Sequence, residues 1–114
     1  MVGFLMKTIL IAALGVAICA TAARADARDQ AIQSIAQVKI MSMICGRLHL
    51  DDARYLALFK VGGIDMARDR DDFAAAISIQ AAEWKPRDPS EVCDTALRLY
   101  GPQGALVPNL LSDN

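Results

Sequence analysis

"KIMSMICGRLHL", Lys39 to Leu50, gathers Met41, Met43, Cys45 and the single histidine of the chain, His49. Two readings compete for it. On an unbroken helix Met41, Cys45 and His49 stand four apart and share one face. Thioether, thiolate and imidazole together suit Cu(I) or another soft ion. In the second reading Met41 and Met43 are adaptable core filler, Cys45 is bonded to Cys93, and His49 stands at a helix end. A bonded cysteine is no thiolate ligand, Gly46 interrupts the shared face, and no second Met-x-Met or Cys/His cluster adds ligands. The expectation is therefore a Cys45–Cys93 disulfide, with Met41 and His49 kept as the alternative soft-metal ligands.

Upstream of this stretch, Ile32, Ile35, Val38, Met41, Ile44 and Leu48 recur every three or four positions, a helical spacing. Between Ile40 and Ile44 the apolar character runs nearly all round, which places that end at the centre of a core. Downstream, Asp51 reads as an N-cap, with Leu50 ahead of it to pack on Tyr55. Ala53, Leu56, Phe59 and the stem of Lys60 are the expected inner face of a short helix, which Gly62-Gly63 ends.

A third helix is expected from about Asp65 to Trp84, with Met66, Phe73, Ile77, Ala81 and Trp84 as its stripe, and Pro86 as its stop. Asp69, Arg70, Asp71 and Asp72 read as a solvated face. Asp88-Pro89-Ser90-Glu91 opens a fourth helix: Asp88 caps, Pro89 suits the first helical position, and Glu91 is placed to close a capping box. Val92, Cys93, Ala96, Leu97 and Tyr100 form its buried face, and Gly101-Pro102 ends it. From Gln103 to Asn114 periodicity is lost, yet Leu106, Val107, Leu110 and Leu111 are apolar, so this tail is expected to lie over the helices as a strap. With no segment alternating at period two, the fold class is all-α: a small bundle of about four helices, clamped by one disulfide, with an irregular C-terminal strap.

The N-terminal segment reads as an export signal. Lys7 precedes a nearly unbroken apolar run, Thr8 to Ala22, and Ala23-Arg24-Ala25 supplies the small-x-small pattern of a cleavage site. The run is shorter than the roughly 20 residues of a membrane span. Lipid attachment at Cys19 is disfavoured because Ile18 is bulky where a small residue is needed. Met6-Lys7 would make a more usual start than Met1. The expected division is 1–25 signal peptide and 26–114 single helical domain. Removing 25 of the 114 residues leaves 89. Lys7 and Arg24 leave with the signal, so 12 basic residues become 10 against 13 acidic, a net charge of −3. That balance speaks against nucleic-acid and anionic-membrane binding, both of which need a basic face. Two thiols in an oxidising compartment most often pair. Closing a loop of about 49 residues is worth on the order of 4 kcal/mol in the chain-entropy model.

Enzyme signals are sparse. Any Ser-His-Asp or Cys-His arrangement would have to use His49, and nothing around Ser34, Ser42, Ser78 or Ser90 resembles a nucleophile elbow. The acidic run Asp65 to Asp72 fails as a calcium loop: it lacks the sharp-turn glycine, and Ala76 stands where a bidentate glutamate belongs. In layout the chain resembles the small periplasmic acid-stress chaperones of the HdeA type: exported, helical, of comparable length, and clamped by one disulfide between similarly spaced cysteines. "GRLHLDD" after Cys45 and the ending "YGPQGALVPNLL" depart from that pattern, and no site residue is carried over. The resemblance implies a stress chaperone.

The expected function is that of an exported, non-catalytic protein-binding module of the bacterial envelope, periplasmic or secreted. It would act as an accessory, inhibitor or chaperone, use no cofactor, and have another envelope or secreted protein as partner. A copper carrier and a small enzyme are the alternatives. Mass spectrometry of the exported protein should find Asp26 at its N-terminus; an intact chain in the inner membrane would refute the signal.

Overall fold

The computed structural model describes residues 27–113; the segment 1–25 expected to be an export signal, Cys19 included, lies outside them. Residues 27–44 form helix α1. Strand β1 (Leu48–Leu50), helices α2 (Asp52–Val61), α3 (Met66–Trp84) and α4 (Pro89–Tyr100), and strand β2 (Leu111–Asp113) follow.

Local chemistry sets most boundaries. The Cys45 N–H still reaches Met41 O at 2.8 Å, but the chain then turns through Gly46 and Arg47, so the helical spacing beyond Cys45 is not realised. Three aspartates cap the later helices, Asp51 and Asp88 as expected and Asp65 in addition. Asp51 accepts from Arg54 N at 3.0 Å, Asp65 from Ala67 N at 2.9 Å, and Asp88 from Ser90 N at 2.8 Å. Each fills one of the orphan donors of a first turn, typically worth ~1 kcal/mol. Glu91 does not close a capping box; its carboxylate lies 3.7 Å from Arg87. Gly62 caps α2, and Gly63 follows at φ 66°, a left-handed conformation that glycine adopts without a Cβ clash.

The core has two parts. The larger holds Val38, Ile40, Met41, Cys45, Leu48, Trp84, Val92, Cys93, Ala96, Tyr100, Leu110 and Leu111. The smaller holds Ile32, Ile35, Ala36, Ile64 and Ala76, and Tyr55, Leu58 and Ile77 pack against both. Cys45 and Cys93 are bonded, their Cα atoms 5.5 Å apart, inside the larger part. The bond joins the end of α1 to the first turns of α4.

Four features differ from the sequence reading. First, α2 docks through Tyr55, Leu58 and Phe59, with Phe59 tilted on Phe73 of α3 at 5.7 Å. Phe59 docks as expected, whereas Ala53, Leu56 and Lys60, expected inside with it, are exposed, Leu56 at 66 %. Two nearly equivalent apolar stripes exist on this helix, and the aromatic one buries more area. Second, Asp69 is buried instead of solvated. It lies four residues before Phe73 and seven before Ala76, on the inner stripe of α3. Third, Met66 is exposed and Ala76 is buried on that stripe.

Fourth, the helical fold carries a small two-stranded antiparallel sheet. Leu48 faces Asp113, His49 faces Ser112, and Leu50 faces Leu111. Three residues are too few for alternation to stand out in a sequence, and the pairing depends on the tail returning to β1. The strap is thus held by hydrogen bonds as well as apolar contact. Ala105 N donates to Arg98 O at 3.0 Å, Leu106 N to Leu99 O at 2.9 Å, and Leu110 N to Tyr100 O at 3.0 Å. These donors satisfy the last carbonyls of α4, which have no partner inside the helix. At Gly104 a Cβ would lie 2.6 Å from Leu99 O, so no larger residue permits this return.

Replacing either Cys45 or Cys93 with serine should lower stability by about 2–5 kcal/mol. Denaturant unfolding checks this, together with alkylation of the unreduced denatured domain, which should label neither thiol.

Candidate functional site

Two grooves run along α1 and meet at Ser34, which lines both. One, of about 420 Å³, is apolar: Ala31 and Ile35 of α1, Leu58 and Val61 of α2, and Val107 of the strap. The other, of about 490 Å³, is walled by Gln30, Gln33 and Gln37 of α1, Gln80 of α3, and Leu106 of the strap, with Asp29 at its edge. Together they make a channel with one oily side and one amide side, and the strap contributes to each.

The amide side is internally ordered. Gln80 Nε2 donates to Gln33 Oε1 at 2.8 Å, and Trp84 Nε1 donates to Gln80 Oε1 at 2.9 Å, so a buried indole fixes which way the Gln80 amide points. The buried Tyr100 hydroxyl donates to Gln37 Oε1. Burial pushes the Tyr100 phenol up to about 12, which keeps it a neutral donor. Gln33, Gln37 and Gln80 are consequently held in set orientations, while their remaining donors and acceptors are open to a ligand's amides or hydroxyls.

An ionic clasp fastens the N-terminal end of α1. Arg28 Nη1 lies 3.2 Å from Asp69 Oδ1, and Arg68 grips the same carboxylate through Nε at 3.2 Å and Nη2 at 2.9 Å. The Asp65 N–H donates to Asp69 Oδ2 at 3.0 Å, and Arg68 Nη2 also donates to Gly63 O at 2.9 Å. The Arg68 hydrogen bond, then that of the Asp65 amide, with the charges of Arg68 and Arg28, lower the Asp69 carboxyl from 3.8 to about 2. The sequence reading of this run as surface charge holds at Arg70, Asp71 and Asp72 but not at Asp69.

The residues weighed as soft-metal ligands do not converge. Met41 is fully buried, Cys45 is bonded to Cys93, and His49 is exposed on β1. Met43 is 65 % exposed and is therefore not core filler. Among the described residues no three His, Cys, Asp or Glu side chains gather as a metal site. The glutamine groove was missed from sequence. Its signal was present: Gln30, Gln33 and Gln37 recur at helical spacing beside the apolar stripe of α1. Comparison of the chain with protein-family models, curated proteins and solved structures gives no match.

Because the Asp69 pKa is lowered in the fold, its stabilisation is present above the unfolded value near 3.8 and is lost as pH falls toward 2. Asp69→Asn should lower the urea midpoint at pH 7, and the gap to the unaltered protein should close between pH 4 and pH 2. A gap independent of pH would show that the clasp acts by packing alone.

Proposed function

We propose that the protein is a non-catalytic protein-binding module of the bacterial envelope, and that it holds an extended segment of another envelope or secreted protein in the channel along α1. The observation that carries this is the pairing of an apolar groove with an oriented row of glutamine amides across Ser34. Peptide recognition needs both chemistries: apolar recesses for side chains, and fixed donors and acceptors for the backbone. The disulfide suits an oxidising compartment, and no helix among the described residues is long and apolar enough to cross a membrane.

The channel offers little to the alternatives. A copper carrier needs Met41 and His49 on one face, whereas one is inside the core and the other is on the sheet. An enzyme built on His49 would lie on β1, and His49 lines neither groove.

Leu106 is 55 % exposed and lines the amide side, so a photo-crosslinking residue there should leave the fold intact. In cells exporting the chain it should trap one defined partner, and the same residue at the exposed Asp94 of α4 should trap none. Equal adducts at both positions, or none at either, would overturn the proposal.

A further inference from the structure

The apolar groove and the clasp at Asp69 are built from the same segments. Arg28 and Ala31 of α1 line one wall of the groove, and Val61 and Gly62 at the end of α2 line the other. At Gly62 a Cβ would lie 2.8 Å from the Cβ of Ala31, so the two walls approach closely here. Asp69 bridges the same two segments. Its carboxylate, 1 % exposed, takes Arg28 of α1 at 3.2 Å and Arg68 at 2.9 Å. Arg68 Nη2 in turn donates to Gly63 O at 2.9 Å, next to Gly62, and the Asp65 N–H donates to Asp69 at 3.0 Å. One buried carboxylate thus ties α1 directly, and the end of α2 through Arg68. Arg28 Nε is buried there without a hydrogen-bond partner, a cost that a guanidinium left in solvent would not carry.

We infer that Asp69 is the positioning residue of the apolar groove: it sets the spacing of the walls on α1 and at the end of α2, and so makes the uptake of an apolar group sensitive to acid. Neither Asp69 nor Arg68 lines the groove, so both act through position alone. The occupant is the apolar part of the segment assigned to the channel, and in that respect alone the inference rests on the peptide reading. Walls hold an apolar group by close contact, and a gap of ~1 Å forfeits up to about half of the attraction at each contact it opens. Breaking the clasp therefore weakens uptake while every residue that lines the groove is kept.

The charged groups about Asp69 come from α1, from the turn before α3 and from α3 itself. Arg28 also lies 3.7 Å from Asp29 and 3.6 Å from Asp72, Arg68 shares the Asp69 carboxylate, and Asp65 stands in the turn. Among the described residues no charged side chain of α2 forms an ion pair with Asp69. The hydrogen bond from Arg68, then that of the Asp65 amide, with the charges of Arg68 and Arg28, bring its carboxyl down to about 2. A carboxylate lowered in the fold keeps its partners above that value and releases them as it takes up a proton. The clasp is thus closed at pH 7 and opens only as pH falls toward 2.

Uptake of Nile red, a neutral apolar dye, by the oxidised exported protein tests this. One dye should bind per chain at pH 7, and Val61→Glu on the groove wall should weaken it. Asp69→Asn should weaken uptake about tenfold and Arg68→Met about threefold, as contacts along one wall are lost. A role in stability alone would leave the affinity of the folded variants unchanged. Circular dichroism should show native helix in both; the Arg68 side chain is 59 % exposed, so Arg68→Met keeps the test decisive if Asp69→Asn unfolds. The ratio of native to Asp69→Asn affinity should close toward one between pH 4 and pH 2. Unchanged affinity in the folded variants, a ratio constant with pH, or a native protein that takes up no dye would each overturn the inference. Uptake governed by Asp69 with no partner trapped at Leu106 would support it and remove only the peptide reading.

Discussion

The bond between Cys45 and Cys93 is the constraint on which the rest of the fold depends. It lies in the larger part of the core, spans 48 positions of sequence, and ties the end of α1 to the start of α4. Between the two cysteines stand α2, which buries no residue fully, and α3, whose fully buried side chains are Asp69, Ala76 and Trp84. Neither helix would hold its place on so little buried area if the loop that contains them were open, because the ordering entropy of some fifty residues would oppose a small apolar gain. The bond also positions β1. Leu48 follows Cys45 by three residues and is buried beside it, and this strand edge receives the returning tail.

What was legible in the sequence is what local chemistry decides. Asp51 and Asp88 cap helices because a carboxylate two or three residues ahead of free N–H groups satisfies them whatever the rest of the chain does. Gly62-Gly63 and Pro86 end helices for equally local reasons. The disulfide was legible because, with Cys19 assigned to the expected export signal, the two remaining cysteines lie on apolar stripes and leave a single pairing. What was not legible depends on neighbours. Phe59 was expected inside beside Ala53 and Leu56, but Tyr55 and Leu58 are apolar too, and it is the core clusters they pack against, built from distant parts of the chain, that decide which residues accompany Phe59. Asp69 looks like one acid among several until Arg28, forty-one positions upstream, arrives to pair with it. The β1–β2 pair exists because the strap returns, and the return requires the hydrogen bonds that the tail makes to the end of α4.

The candidate channel shows the same division. Its apolar side continues the core stripe of α1 and could be anticipated. Its amide side was passed over although Gln30, Gln33 and Gln37 stand at helical spacing, since a row of glutamines on a helix is ordinarily a solvated face. They become a site because Trp84 and Tyr100 reach up from the core and hold Gln80 and Gln37. An indole N–H and a phenol O–H buried without partners would each be costly, so the core needs these amides as much as the amides need the core. The groove lining is in this sense a by-product of satisfying two buried aromatic donors.

The two ends of α1 are fastened by different chemistry, and this bears on how the channel responds to its surroundings. One end is held covalently at Cys45. The other is held by Arg28 on Asp69, roughly 25 Å away along the helix at 1.5 Å per residue. With α1 fixed at both ends, the channel's other walls are Gln80 of α3, α2 with no fully buried residue, and the strap, attached through main-chain hydrogen bonds to α4 and through β2. Acid loosens the ionic end first, and only toward pH 2, where Asp69 takes up its proton. Reduction loosens the other. Acid and reduction therefore act on different attachments of α1: acid on its ionic contact with Asp69 of α3, reduction on its covalent tie to α4.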